Sequence, residues 1–221
     1  ISVIYRSDEG VRPNSNMQFQ NTLAFAQQLD ANDPLKEFRE QFIIPEKDGK
    51  KQIYFLGNSL GLQPKRTNDY LQRIMKDWAA LGVESFFHAK EPWMDYHDAL
   101  TPTLSQIVGC KPHELSVMNN LSVNLHLMLV SFYRPQGKRF KILCEAKAFP
   151  SDQYMMETHV KHHGYNPAEA IIEIKPREGE HTIRTEDILQ IIVQHKEELA
   201  LVLFGGINYY SGQVFDMKTI T

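Results

Sequence analysis

The chain has 221 residues, 42% of them apolar and 23% charged, with a formal net charge of −3. That length suits one large domain or one and a half ordinary ones, with enough apolar material for a sizeable core. A charge this close to balance, with both signs scattered, excludes nucleic-acid binding by a broad basic surface. Cys110 and Cys144 stand far apart and make neither a disulfide framework nor a zinc site. Both read as buried thiols in a reducing compartment. No apolar run approaches the roughly 20 residues of a membrane span, and the first residues lack the apolar core of a signal peptide. The expectation is a soluble cytoplasmic protein with no nucleic-acid or membrane partner. The glycosylation match at Asn120-Leu121-Ser122 is discounted without a secretion signal. Ile1 in place of Met, and a helical pattern just opening before Thr221, read as part of a longer polypeptide.

Along the chain, residues 1–20 are polar and turn-rich. Leu23, Phe25, Ala26 and Leu29 predict a short helix over 22–29. Asp33-Pro34 is an N-cap with Pro at the first helical position, opening a helix that carries Leu35, Phe38 and Phe42. Residues 47–51 form a charged loop, and 53–56 a short strand broken by Gly57-Asn58-Ser59-Leu60-Gly61. After Pro64, the spacing of Tyr70, Leu71, Ile74, Trp78 and Leu81 predicts a helix. Another is expected over about 92–108. From there the pattern alternates: an apolar segment at 115–118, helix at 123–132, strand at 140–144, helix at 152–163, strand at 170–174, helix at 185–198, and a continuous apolar run at 200–204. Strands alternating with helices predict an α/β fold with a mainly parallel sheet flanked by helices. Continuous apolar strands fit a sheet covered on both faces. Ligands of such sheets bind outside the carboxyl ends of the strands, which directs attention to the segments after Met118, Cys144 and Phe204.

In the first of these, Ser122 stands where a helix begins. The free N–H groups and partial positive charge of a helix N-terminus suit a phosphate, while a plain N-cap serine accounts for the same residue. In the second, Ser151 and Asp152 are N-cap types and Phe149 precedes them, placed either to stack on a planar ligand or to staple the helix to the core. In the third, Gly205-Gly206 permits close approach of a backbone to a ligand, or a tight turn. Neither a dinucleotide fingerprint nor a phosphate loop is present. His159, His162 and His163 read as a solvated helix end, since Val160 stands where a zinc-protease helix needs Glu. Arg177, Glu178 and Glu180 around Gly179 read as an exposed charged turn. No metal site is expected.

Taken together, five stretches resemble kynureninase along nearly the whole chain: Tyr54-Phe-Leu-Gly-Asn-Ser-Leu-Gly-Leu-Gln-Pro-Lys65, Met118-Asn-Asn-Leu-Ser-Val-Asn-Leu-His126, Glu145-Ala-Lys-Ala-Phe-Pro-Ser-Asp152, Ile174-Lys-Pro-Arg-Glu-Gly179 and Tyr209-Tyr-Ser-Gly-Gln213. Each is short; their order and spacing together are specific. The resemblance implies an incomplete large domain of the fold type I pyridoxal-phosphate enzymes, cut from the N-terminal half. Residues 1–52 would be a helical segment contributing to the small domain, and 53–221 the first part of the cofactor-binding large domain.

The resemblance further implies a homodimer that hydrolyses L-kynurenine to anthranilate and L-alanine, with 3-hydroxykynurenine accepted by related enzymes. It assigns the cofactor phosphate to Leu121 and Ser122, and the pyridine ring to Phe149. Pro150, Ser151, Asp152 and Gly205 fall in the same cofactor shell, and Ser59 and His88 on the substrate side. Ser122 stands where relatives often carry Thr, and Gly205 where some carry Ser. No catalytic residue falls in this chain: the family's aspartate for the pyridine nitrogen, its nearby histidine and its Tyr-Lys pair would lie past Thr221. The rival readings are another fold type I activity, cysteine desulfurase-like or aminotransferase-like, or an inactive fragment acting as a binding module.

Overall fold

A computed structural model describes residues 18–221. Most of the polar stretch 1–20 therefore lies outside the described residues. The chain divides into two compact units, one running to Tyr96 and the other from His97 to Thr221.

The first unit opens with α1 (Leu23–Asn32), where the Thr22 hydroxyl accepts the Phe25 N–H at 3.3 Å. The Asp33 carboxylate takes the Leu35 N–H at 2.8 Å, but a 3-10 turn over Lys36–Gln41 follows instead of the expected α-helix. Phe42 is drawn away from it: β1 (Phe42–Ile43) pairs antiparallel with residues Gln63 and Pro64 further on. The expected loop at 47–51 is a hairpin of β2 (Glu46–Lys47) and β3 (Lys50–Lys51). Its two turn residues, Asp48 and Gly49, have φ of 52° and 71°. Asp-Gly is the pair that tolerates this primed turn, whose twist matches the flanking strands. The expected strand at 53–56 is absent, because the segment has no ladder partner; Ile53 and Phe55 are 86% and 87% exposed. After β4 (Gln63–Pro64) comes the expected amphipathic helix, α2 (Thr67–Leu81), and then α3 (Ser85–His88).

In the second unit, α4 (Thr101–Val108) starts later than expected, with Pro102 in its first turn where a missing N–H is harmless. Segment 115–118 is not a strand. Next come α5 (Leu121–Phe132), β5 (Lys141–Glu145), α6 (Pro150–His162), α7 (Pro167–Ala170), β6 (Ile171–Ile174), α8 (Thr185–Gln194), β7 (Leu199–Leu203) and α9 (Met217–Ile220). The strands form one parallel sheet in the order β6-β5-β7. Helices with a small parallel sheet are thus what the alternating pattern builds.

The central strand sorts its side chains by the two-residue period. Ile142 and Cys144 face a cluster with Leu129 and Tyr133 of the α5 region and Met155, Met156 and Val160 of α6. Leu143 faces the opposite cluster, with Ile188, Phe215 and Ile220. Burying each large side chain contributes about 1.5–3 kcal/mol. Burial pushes the Cys144 thiol up to about 12, helped by the carboxylates of Glu173 and Glu145, so it is an inert core group. Cys110, expected to be buried, is only partly so.

The direction of the helices follows from Tyr133, just past the end of α5. Its hydroxyl donates to the Phe140 carbonyl at 2.5 Å, beside the start of β5. Its ring also meets those of His159 and His163 at the end of α6, with centroids 5.6 and 5.3 Å away. Both helices therefore run against the strands. Their N-termini lie at the strands' carboxyl ends. His159 is buried there, not solvated as the sequence suggests.

The charged turn is also more than a solvated one. Arg177 forks onto Asp187 at 2.8 and 2.5 Å, and Arg184 pairs with Glu180, bracing the approach to α8. The guanidinium beside Asp187 holds its carboxyl below the usual range. Among the described residues no helix is long and apolar enough to cross a membrane.

Candidate functional site

The N-terminus of α5 is built by three consecutive residues. Asn119 turns the chain with φ of 49°, a conformation Asn tolerates better than most residues. Asn120, not Ser122, is the N-cap: its Oδ1 accepts the Val123 N–H at 3.0 Å, and its carbonyl accepts the Asn124 N–H at 3.0 Å. Asn124 in turn donates to the Met118 carbonyl at 3.0 Å, tying the helix back to the incoming chain. Ser122 is the second helical residue, so its hydroxyl is not consumed by capping. The N–H groups of Leu121 and Ser122 have no partner among the described residues. Two free donors, a hydroxyl and the positive end of a 12-residue helix suit a phosphate dianion.

The turn from β5 into α6 uses Lys147 at φ of 56° and buries Ala148. Phe149 then occupies the N-cap position and Pro150 the first helical one, so Ser151 and Asp152 fall inside the first turn and do not cap it. The Asp152 N–H bonds to the Phe149 carbonyl at 2.8 Å, and the Ser151 hydroxyl donates to Asp152 Oδ1 at 3.1 Å. Phe149 is no core staple: it is 48% exposed. Its one aromatic neighbour among the described residues is Tyr209, edge-on with ring centroids 5.1 Å apart.

The third segment follows β7. A Cβ on Gly205 would stand 3.3 Å from the Ile207 carbonyl oxygen and 3.4 Å from Glu145 Oε1, so any side chain here would crowd the loop and the end of β5. Beyond it, Asn208 donates to Glu145 Oε2 at 2.7 Å. Parallel pairing of β5 and β7 puts this loop at the same end of the sheet as the helix N-termini of α5 and α6. Leu121, Ser122, Phe149, Pro150, Ser151, Asp152 and Gly205 therefore all lie at the carboxyl end, the first six at the N-termini of α5 and α6, which pack on one face.

Ser59 and His88 belong to the other unit. The Ser59 N–H bonds to the Leu56 carbonyl at 2.9 Å, in a turn also held by the Tyr54 hydroxyl on the Leu60 carbonyl at 2.7 Å. His88 ends α3, exposed, 3.5 Å from Glu84. Among the described residues no group of three or more His, Cys, Asp or Glu could hold a metal.

Sequence reading overlooked Glu145, Asn208 and Tyr209 as parts of this site. One signal was available for the first: a carboxylate directly follows the apolar run Ile142-Leu143-Cys144 at the carboxyl end of a strand.

The class this geometry defines is an α/β protein with helix N-termini and an accessible aromatic ring at the carboxyl end of a parallel sheet. No family model matches the chain. Among curated proteins it is 63% identical over 205 residues to the kynureninase of Flavobacterium psychrophilum, covering 93% of this chain and 48% of that protein. It is 61% identical to the kynureninase of Flavobacterium johnsoniae, with the same coverage. The kynureninase of Nematostella vectensis is 46% identical over 209 residues, 89% of this chain and 45% of that protein. The chain belongs to the kynureninase family, and it spans about half the length of the curated relatives it matches.

Proposed function

We propose that the whole protein is a pyridoxal-phosphate-dependent kynureninase, a fold type I enzyme that hydrolyses L-kynurenine to anthranilate and L-alanine, with 3-hydroxykynurenine, which would give 3-hydroxyanthranilate, as a further substrate. The observation that carries this reading is identity of 46–63% to curated kynureninases along 87–93% of the chain. The residues fit the cofactor. The unpartnered N–H groups of Leu121 and Ser122, with the Ser122 hydroxyl, take its phosphate; the accessible Phe149 ring takes its planar ring. Pro150, Ser151 and Asp152 complete the shell from the first turn of α6, and Gly205 from the loop after β7. Pyridoxal phosphate, when bound, supplies the sink for electrons released at the substrate Cα. The residues of this chain orient and anchor it. The Schiff-base lysine and the aspartate on the pyridine nitrogen come from elsewhere in the whole protein. The family resemblance assigns Ser59 and His88 to the substrate side.

The same reading makes residues 1–52 a contribution to the small domain and 53–221 part of the large one, in a cytoplasmic homodimer. Incubation of the whole protein with L-kynurenine and pyridoxal phosphate should release fluorescent anthranilate. Transamination or sulfur transfer without anthranilate would overturn the proposal.

A further inference from the structure

Glu145 ends the central strand and is only 6% exposed. A carboxylate is rarely buried so far unless its charge is engaged. Its Oε2 accepts the Asn208 side-chain N–H at 2.7 Å, and Oε1 lies against Gly205. The orientation of the Asn208 amide is not arbitrary. Its Oδ1 already accepts the N–H groups of Tyr210 and Ser211 at 3.0 and 2.9 Å and the Ser211 hydroxyl at 3.1 Å. With the oxygen thus occupied, the amide nitrogen must face the acceptor, Glu145. Between these two anchor points sits Tyr209, whose ring meets Phe149 at 83°.

The base of the same loop is held separately. The Gln213 side chain accepts the Ile183 N–H at 2.8 Å and donates to the Ile183 carbonyl at 2.6 Å. Ile207 and Val214 form a bridge across the base. The tip, where Tyr210 is 89% exposed, is tied to the strand end through Asn208.

We propose that Glu145 is a positioning residue: through Asn208 it fixes Tyr209, and through Tyr209 the plane of the Phe149 ring. This rests on the reading above, in which that ring carries the cofactor. A charge-assisted hydrogen bond is the strong kind suited to such a tie, and the separately anchored base means its loss loosens the tip without unfolding the sheet.

The test uses the full-length protein and its Glu145→Ala, Glu145→Gln, Asn208→Ala and Glu145→Ala/Asn208→Ala variants. Amide hydrogen exchange over 207–212 is followed without cofactor, and pyridoxal phosphate affinity by titration with circular dichroism of the bound cofactor. Glu145→Ala should speed exchange at the tip and raise the Kd roughly tenfold. Glu145→Gln keeps an oxygen for the Asn208 N–H and should stay within about twofold on both measures. Asn208→Ala should match Glu145→Ala, and the double variant should lose nothing further. Unchanged exchange and affinity in Glu145→Ala and Asn208→Ala would overturn the proposal. So would a Gln variant as impaired as the Ala variant, or affinity losses that track apo melting temperature in every variant. Failure of the wild-type protein to bind pyridoxal phosphate would sink the proposed function instead, while the exchange arm still decides whether Glu145 holds the tip.

Discussion

Tyr209 stands edge-on to Phe149, with ring centroids 5.1 Å apart and planes at 83°, although two whole βα units separate them in sequence. The contact leaves Phe149 48% exposed, so the ring is oriented without being buried. A ring held in that way serves a ligand better than it serves a core.

Phe149→Ala in the full-length protein should therefore weaken pyridoxal phosphate binding and leave the apo protein nearly as stable as before. Ring stacking of this kind contributes about 0.5–1.5 kcal/mol beyond buried area, whereas a buried Phe replaced by Ala costs about 3–5 kcal/mol. Cofactor titration beside apo melting separates the two roles. Lost stability with unchanged affinity would return Phe149 to the core.

Asn120 and Ser122 should separate in the same manner. Asn120 caps α5 through Val123, so Asn120→Ala should lower stability by about 0.5–2 kcal/mol. Ser122→Ala removes a hydroxyl that caps nothing and should shift stability by no more than about 0.5 kcal/mol, while reducing affinity for pyridoxal phosphate. Urea unfolding and cofactor titration on the two variants check both halves; a Ser122→Ala protein with undiminished affinity would count against the phosphate role.

His159 should make the protein less stable as pH falls. Burial first, then the neighbouring imidazoles of His163, His162 and His126, hold it below the ordinary value of 6.5, against a backbone hydrogen bond at Leu129. Its Nε2 is buried without a partner among the described residues. Below 6.5 the unfolded chain takes up a proton that the folded His159 refuses, so stability is lost until the lower folded value is reached. Above that window both states are neutral there and the residue contributes no pH dependence. Unfolding free energies of wild type and His159→Leu between pH 8 and 5, on the order of one measurement per half unit, should diverge only on the acid side, the wild type falling more steeply. Parallel curves would mean that His159 ionises freely in the fold.

Leu129 is 2% exposed where α5 meets the sheet, and the next residue, Val130, is 57% exposed. Leu129→Ala should cost about 2–5 kcal/mol through lost burial and a residual cavity. Val130→Ala should change stability by about 0.5 kcal/mol either way. Denaturant midpoints of the pair report whether α5 packs by the face described.

Much of the second unit was legible in the sequence because its signals are local. The apolar runs that become β5, β6 and β7, and the helical spacing of α5, α6 and α8, announce themselves within a few residues of chain. The same local signals misled at 53–56 and 115–118, where apolar composition promised strands. A strand exists only when a distant segment offers a ladder, and none does so there among the described residues. The hairpin at 46–51 was missed for the opposite reason: its strands are two residues each, too short for any alternation to show.

At the candidate site, chain chemistry alone marked Ser122, Phe149 to Asp152 and Gly205, since each follows an apolar segment and opens a helix or turn. That Asn120 rather than Ser122 caps α5 depended on where the backbone enters its left-handed turn at Asn119. That Glu145 holds Asn208, and Tyr209 meets Phe149, depended on the parallel register that sets Cys144 beside Leu203. Residue types determined which segments had the donors, rings and glycines for such a site. Only the pairing of β5 with β7 decided which of them meet, because side chains from distant segments are brought together by the ladder between strands and not by anything within either one.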